Sequence, residues 1–207
     1  MKHLVFFLLS TIPLLSLAQN KKVLDHSAYD EWHRVSKDLI SNDGKHVAYS
    51  TKPNGYGNEV VYLHQIGGKA LLTYERGSNP TFSNNSNHLI FKASPDFHAF
   101  RDMKRQKTKE KDLPGDTLVV YDVASGSMMK QAGLQSFKVP EKWDDYLVFL
   151  YAPTIDSTNK KEKKRSKKNG YDLVIKKLSD GSEFTFNYVL DYAIAEEGAA
   201  VAFHYGQ

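Results

Sequence analysis

Nine residues recur in this chain at a spacing of 42, and a recurrence of that length and pattern leaves few folds open. Ser41-Asn42-Asp43-Gly44-Lys45-His46-Val47-Ala48-Tyr49 aligns without gaps on Ser83-Asn84-Asn85-Ser86-Asn87-His88-Leu89-Ile90-Phe91. Ser, Asn and His keep identical places, and each copy ends in two apolar residues and an aromatic. Weaker copies occupy residues 141–149 and 195–203. Each copy starts as a polar turn and delivers the chain into a short aliphatic and aromatic run, which is strand composition.

A second element alternates with the first. Runs opening at Val60, Leu118 and Leu173 each reach a glycine eight positions later, at Gly68, Gly126 and Gly181, and another β-rich run follows. Gly-Gly, Ser-Gly and Asp-Gly pairs let a tight turn take positive φ without a Cβ clash, so these segments read as hairpins. Each unit is then strand, polar turn, strand, connection, strand, glycine turn, strand. Four antiparallel strands at this period are the signature of propeller blades. The expected fold class is all-β, a partial β-propeller of about three and a half four-stranded blades with a short N-terminal helix. The blades fall at about 39–77, 78–134, 135–189 and a truncated 190–207.

The connection between the second and third strands is 13 residues from Val47 to Val60, but 29 from Leu89 to Leu118 and 26 from Leu147 to Leu173. Insertions at one loop position of a repeat lie on one face of the disc. Residues 19–38 precede the first blade. There Leu24, Ala28, Trp32, Val35 and Leu39 recur at three- and four-residue spacing, and Ser27 with Asp30 resembles a capping box. This predicts an amphipathic helix over about 27–37 that packs Tyr29 and Trp32 against the first blade.

Residues 1–18 are set apart. Lys2 and His3 make a basic start, residues 4–17 are mainly apolar, and Ser16 and Ala18 are small residues at the −3 and −1 positions before Gln19. That is the pattern of a secretory signal peptide cleaved after Ala18, and it predicts a periplasmic or secreted chain. The apolar stretch is shorter than the ~20 residues a membrane-spanning helix needs. The 207 residues include no cysteine, so disulfides, thiolate metal sites and a cysteine nucleophile are excluded.

The net charge of +4 is concentrated in two places. Residues 101–112 hold six basic and three acidic side chains, and 160–168 hold seven basic side chains and Glu162. Setting those aside leaves 15 basic against 20 acidic residues, so the scaffold itself carries −5. Both basic segments fall in the long second-to-third-strand connections. They are read as solvated loops able to contact an acidic surface such as lipopolysaccharide, a membrane or a partner protein. The run at 160–168 has no interleaved aromatics for base stacking, and nucleic acid is not an expected partner.

No Gly-x-Ser-x-Gly elbow occurs; Ser125-Gly126-Ser127 lies in a hairpin turn. The histidines show no metal-ligand spacing, and His46 and His88 read as repeated turn residues. Asp144-Asp145 and Glu196-Glu197 read as solvated turn acids rather than an acid–base pair. No catalytic, cofactor or metal site is expected within the chain.

Leu24-Asp25-His26-Ser27-Ala28-Tyr29-Asp30-Glu31-Trp32, followed by Ser41-Asn42-Asp43-Gly44-Lys45 and Val47-Ala48-Tyr49, resembles the start of exported bacterial S9 serine peptidases, the prolyl oligopeptidase and dipeptidyl-peptidase IV-like enzymes, most closely the large forms of Bacteroidota. The similarity continues through Arg76-Gly77, Phe82-Ser83 and the charged segment before Leu113-Pro114. It implies a seven- or eight-bladed propeller ahead of an α/β-hydrolase domain with a Ser-Asp-His triad. The propeller would admit short peptides to that triad. No triad residue can be placed on this chain, and Glu196-Glu197 lies outside the context of the family's substrate-binding glutamates. The expected function is thus a noncatalytic N-terminal propeller piece of a periplasmic peptidase, with peptide substrate only in a full-length parent. The alternatives are a TolB-like envelope scaffold and the remnant of a truncated gene.

Overall fold

A computed structural model of the chain describes residues 25–152 and 169–206. The leader at 1–18 and the basic run at 160–168 lie outside the described residues. Twelve strands are described: β1 His33–Ile40, β2 His46–Pro53, β3 Val60–Gln65, β4 Ala70–Glu75, β5 Gly77–Phe82, β6 His88–Ala93, β7 Asp116–Asp122, β8 Met128–Lys138, β9 Tyr146–Tyr151, β10 Tyr171–Lys177, β11 Glu183–Ile194 and β12 Val201–Tyr205. Strands β1 to β4 form one sheet and β5 to β12 a second, and within each sheet every strand is antiparallel to its sequence neighbours. One α-helix, α1, spans Phe97–Arg105.

The second sheet is continuous because β8 and β11 each serve twice. β8 pairs with β7 up to Leu134 and with β9 from Leu134 onward; β11 pairs with β10 and then, from Val189, with β12. At each change of partner the backbone takes positive φ, at Gly133 (79°) and Tyr188 (63°), and Arg76 (67°) holds the same place between β4 and β5. The carbonyls of Trp32, Arg76, Gly133 and Tyr188 accept from the amides of Asn54, Ser94, Ala152 and Gly206 in turn. These four junctions divide the strands into three complete four-stranded units and the first two strands of a fourth.

Side-chain alternation shows how the units stack, because successive strand residues point to opposite faces. Leu89, Phe91, Val119 and Tyr121 pack with Ala48, Val61, Leu63 and Leu72 of the first unit. Their neighbours Ile90, Leu118 and Val120 pack with Leu147, Phe149 and Val174 of the third. Val148, Leu150 and Leu173 then meet Val189 and Tyr192 of the fourth. The second and third units are therefore buried on both faces, which explains why β6, β7 and β9 read as unbroken apolar runs. Sheets stacked face on face in chain order make an arc of propeller blades. Each fully buried Leu, Ile, Val or Phe here stabilises by roughly 1.5–3 kcal/mol, so the inter-blade layers carry the fold.

The repeated Ser-Asn turns fold alike. The Ser41 hydroxyl donates to Asp43 Oδ1 and accepts from the His46 amide; the Ser83 hydroxyl donates to Asn85 Oδ1 and accepts from the His88 amide. The second residue of each turn links to the next blade. Asn42 Nδ2 donates to the Asn84 carbonyl at 2.9 Å, and Asn84 Nδ2 donates to Asp144 Oδ1 at 3.0 Å. The repeat thus encodes both the hairpin and a hydrogen-bonded ladder between blades.

The N-terminal helix is shorter than its apolar spacing predicts. A 3-10 helix covers His26–Glu31, and β1 starts at His33. Residues 33–40 instead pair along β2, because an eight-residue edge ladder satisfies more backbone groups than two further helical turns. Tyr29 and Trp32 touch each other, centroids 6.0 Å apart, and both stay about half exposed rather than packing under the blade. In the first basic insertion, α1 is capped by Asp96, whose side chain accepts from the Ala99 amide.

Candidate functional site

The repeated histidines have unequal surroundings. His46 is half-buried, with Nδ1 4.0 Å from Asp43 Oδ1. His88 is buried between two blades, Nδ1 3.2 Å from Asp145 Oδ1 and Nε2 3.6 Å from Asp122 Oδ2. Asp145 is only 4% exposed and has φ 67°, so it is not the solvated turn acid its position predicts; Asp144 beside it is exposed. The burial arises because blade three's turn folds inward against His88. The Asp122 carboxyl is held below the usual carboxylate range, chiefly by the Ser125 amide, with the Ser125 hydroxyl and His88 adding to it. Glu196 and Glu197 are exposed, and Glu197 pairs with Lys142. Ser125 and Ser127 are tied up in the β7–β8 turn, Ser125 donating to Asp122 Oδ1. Among the described residues no group of three or more His, Asp or Glu side chains is placed to hold a metal ion.

The first basic insertion is held by the first blade. Asn58 Nδ2 donates to Asp96 Oδ2 and Asn58 Oδ1 accepts from the Phe97 amide. The Tyr56 and Phe97 rings stack at 5.8 Å, with the Arg101 guanidinium 4.9 Å over Tyr56. His98, Lys104, Arg105, Lys107 and Lys109 are left exposed. Among the described residues no helix is long and apolar enough to cross a membrane.

The arrangement with most chemical capacity lies where the first strands of successive blades converge. β1, β5 and the second half of β8 border a cavity of about 480 Å³. Each of these strands breaks register there, between Val35 and Lys37, between Ser78 and Thr81, and between Leu134 and Ser136. A bulge re-aims side chains, and these turn Ser36, Lys37, Ser78, Asn79 and Ser136 toward the cavity. Ser36 and Ser50 share a hydroxyl–hydroxyl contact of 2.8 Å. The Lys37 ammonium donates to Asn79 Oδ1 at 3.0 Å and to Thr81 Oγ1 at 3.4 Å, and burial lowers its pKa. No sequence motif points to these residues; bulge positions depend on pairing between strands, which a single strand's pattern does not display.

No protein-family model matches the chain, and no curated protein matches it. Several solved structures are similar in trace. The acylaminoacyl peptidase of Pyrococcus horikoshii shares 11% identity over 79% of this chain and 27% of its own, with a TM-score of 0.45. The β-propeller domain of the trilobed protease from Pyrococcus furiosus shares 14% identity over 75% of this chain and 43% of its own, with a TM-score of 0.44. A eukaryotic initiation factor shares 10% identity over 74% of this chain and 32% of its own, with a TM-score of 0.42. This chain spans less than half the length of each. At such scores the likenesses carry no argument about function, and the propeller assignment rests on the blade packing and strand registers described above.

Proposed function

We propose that the chain supplies the opening blades of the propeller of an exported S9-type serine peptidase, a noncatalytic part that admits short peptides to a hydrolase domain. The supporting observation is the placement of the family-like segments. Residues 25–32 lead into the first blade, and the Ser-x-Asp-Gly turn at 41–44 builds the inter-blade ladder of a disc whose first strands converge on a cavity. Export follows from the leader pattern at 1–18, with the blades folding in the periplasm.

The test is to follow the reading frame past Gln207. The proposal expects further blades and then a Gly-x-Ser-x-Gly elbow several hundred residues on. A frame that closes its last blade and stops favours a TolB-like scaffold, and an immediate frame break favours a gene remnant. Expressed alone, the 207-residue chain should take no label from a serine-directed fluorophosphonate probe; stoichiometric labelling would overturn the noncatalytic assignment. Periplasmic material should begin at Gln19 by intact mass.

A further inference from the structure

We infer that the cavity between β1, β5 and β8 is a binding site for a small oxyanion, a carboxylate or phosphate group, held by the Lys37 ammonium with the Ser78 hydroxyl beside it. The inference stands independently of the peptidase assignment.

The charge balance of the cavity wall leaves one cation uncompensated. Three ionisable side chains border it: Lys37, Glu59 and Lys92. Glu59 is paired with Lys52 at 3.5 Å, and Lys92 with Asp116 at 3.2 Å. Lys37 alone among them has no carboxylate partner among the described residues; it donates only to the neutral acceptors Asn79 Oδ1 and Thr81 Oγ1. A partly buried ammonium without a counter-ion is costly, and an incoming anion removes that cost. Burial lowers the Lys37 pKa, in keeping with an ammonium that no carboxylate of the wall offsets. An ammonium has three donors, so two bonds to Asn79 and Thr81 leave one for a ligand.

The rest of the wall suits the same ligand. Ser78 brings a hydroxyl that no other group among the described residues engages, and a hydroxyl can donate to an anionic oxygen; the Ser36 hydroxyl is already bonded to Ser50, and the Ser136 hydroxyl donates to the Tyr192 hydroxyl. Leu134 and Phe137 give the cavity an apolar side, so a ligand with a short apolar body beside its acid group also fits. A lysine, unlike an arginine fork, acts as a point charge and accepts carboxylate or phosphate without demanding planar geometry. The bulges that aim these groups recur at one level of the repeat, so the site belongs to the arc and not to any single blade.

The test titrates the full chain by calorimetry with three probes: inorganic phosphate, N-acetyl-dialanine as its free acid, and the same dipeptide as its carboxamide. In parallel, acylation of Lys37 by acetic anhydride is followed by peptide mapping. The expected result is that the free acid, phosphate or both bind and slow Lys37 acylation, while the carboxamide does neither. The phosphate and free-acid arms distinguish an inorganic ligand from the acid end of an organic one. Lys37→Met should weaken binding at least tenfold, Lys37→Arg should keep most of it, and Ser78→Ala should cost a few-fold. Equal binding of acid and carboxamide, no binding of any anion, or unchanged binding in Lys37→Met would each overturn the inference. If Lys37→Met does not fold, the protection of Lys37 in the unaltered chain and the Ser78→Ala titration decide it.

Discussion

Gly133 sits at the hinge between the second and third blades with φ 79°, and a Cβ there would run into the carbonyl of Ala152, the residue whose amide bonds Gly133. Gly181 has a similar φ, 73°, but open space where its Cβ would go. Gly181→Ala should therefore cost about 1–2 kcal/mol of left-handed strain, and Gly133→Ala clearly more, since the strand pairing itself must move. Urea unfolding of the two variants checks the ranking. His88 is the other residue whose place decides stability. Its ring is the ionisable neighbour of the buried Asp145 carboxylate on one side and reaches Asp122 on the other. His88→Leu should lose about 1–3 kcal/mol by leaving buried Asp145 without its nearest polar neighbour, and adding Asp145→Asn should restore part of the loss. If the double variant is no more stable than His88→Leu alone, the buried pair is not the cause.

Between elements, the turns join hairpin closure to blade contact. Ser83 is fully buried, so Ser83→Ala leaves the His88 amide without its acceptor and should cost about 1–3 kcal/mol. Half-buried Asn84 links both neighbouring turns, and Asn84→Ala should cost about 1 kcal/mol while leaving its own hairpin intact. Turn carboxylates also set the acid response. Asp43, Asp96, Asp122 and Asp180 are all held below the usual carboxylate range, mainly by turn amides and hydroxyls. A lowered folded-state pKa means the unfolded chain binds more protons. The stability these groups provide is complete above their unfolded pKa of about 4 and is lost as pH falls through the folded values. The urea midpoint should fall steadily below about pH 4, and less steeply in Asp122→Asn. The hairpins and their order are legible in the sequence because Ser-x-Asp-Gly and x-Gly pairs specify turns locally. The N-terminal segment misleads because three- and four-residue spacing at Ala28, Trp32 and Val35 scores as a helix, while the β2 edge that captures residues 33–40 is nonlocal. The burial of Asp145 is hidden for the same reason: an acid in a polar turn looks solvated until the preceding blade is beside it.

At the scale of the molecule, stability and any ligand site both depend on blades stacked in chain order. Alternation within β6 sends Phe91 toward the first blade and Ile90 toward the third. Phe91→Ala should therefore cost about 3–5 kcal/mol by opening a void in the layer between the first two blades. The inter-blade ladder gives the most direct measurement of the stacking, and the absence of native cysteine makes it clean. Cysteine pairs N42C/N84C and N84C/D144C, treated with a short bifunctional thiol reagent, should cross-link within one chain in high yield. The pair N42C/D144C, which skips a blade, should not. Cross-linking of the skipping pair, or failure of both neighbouring pairs in folded protein, would contradict the arc.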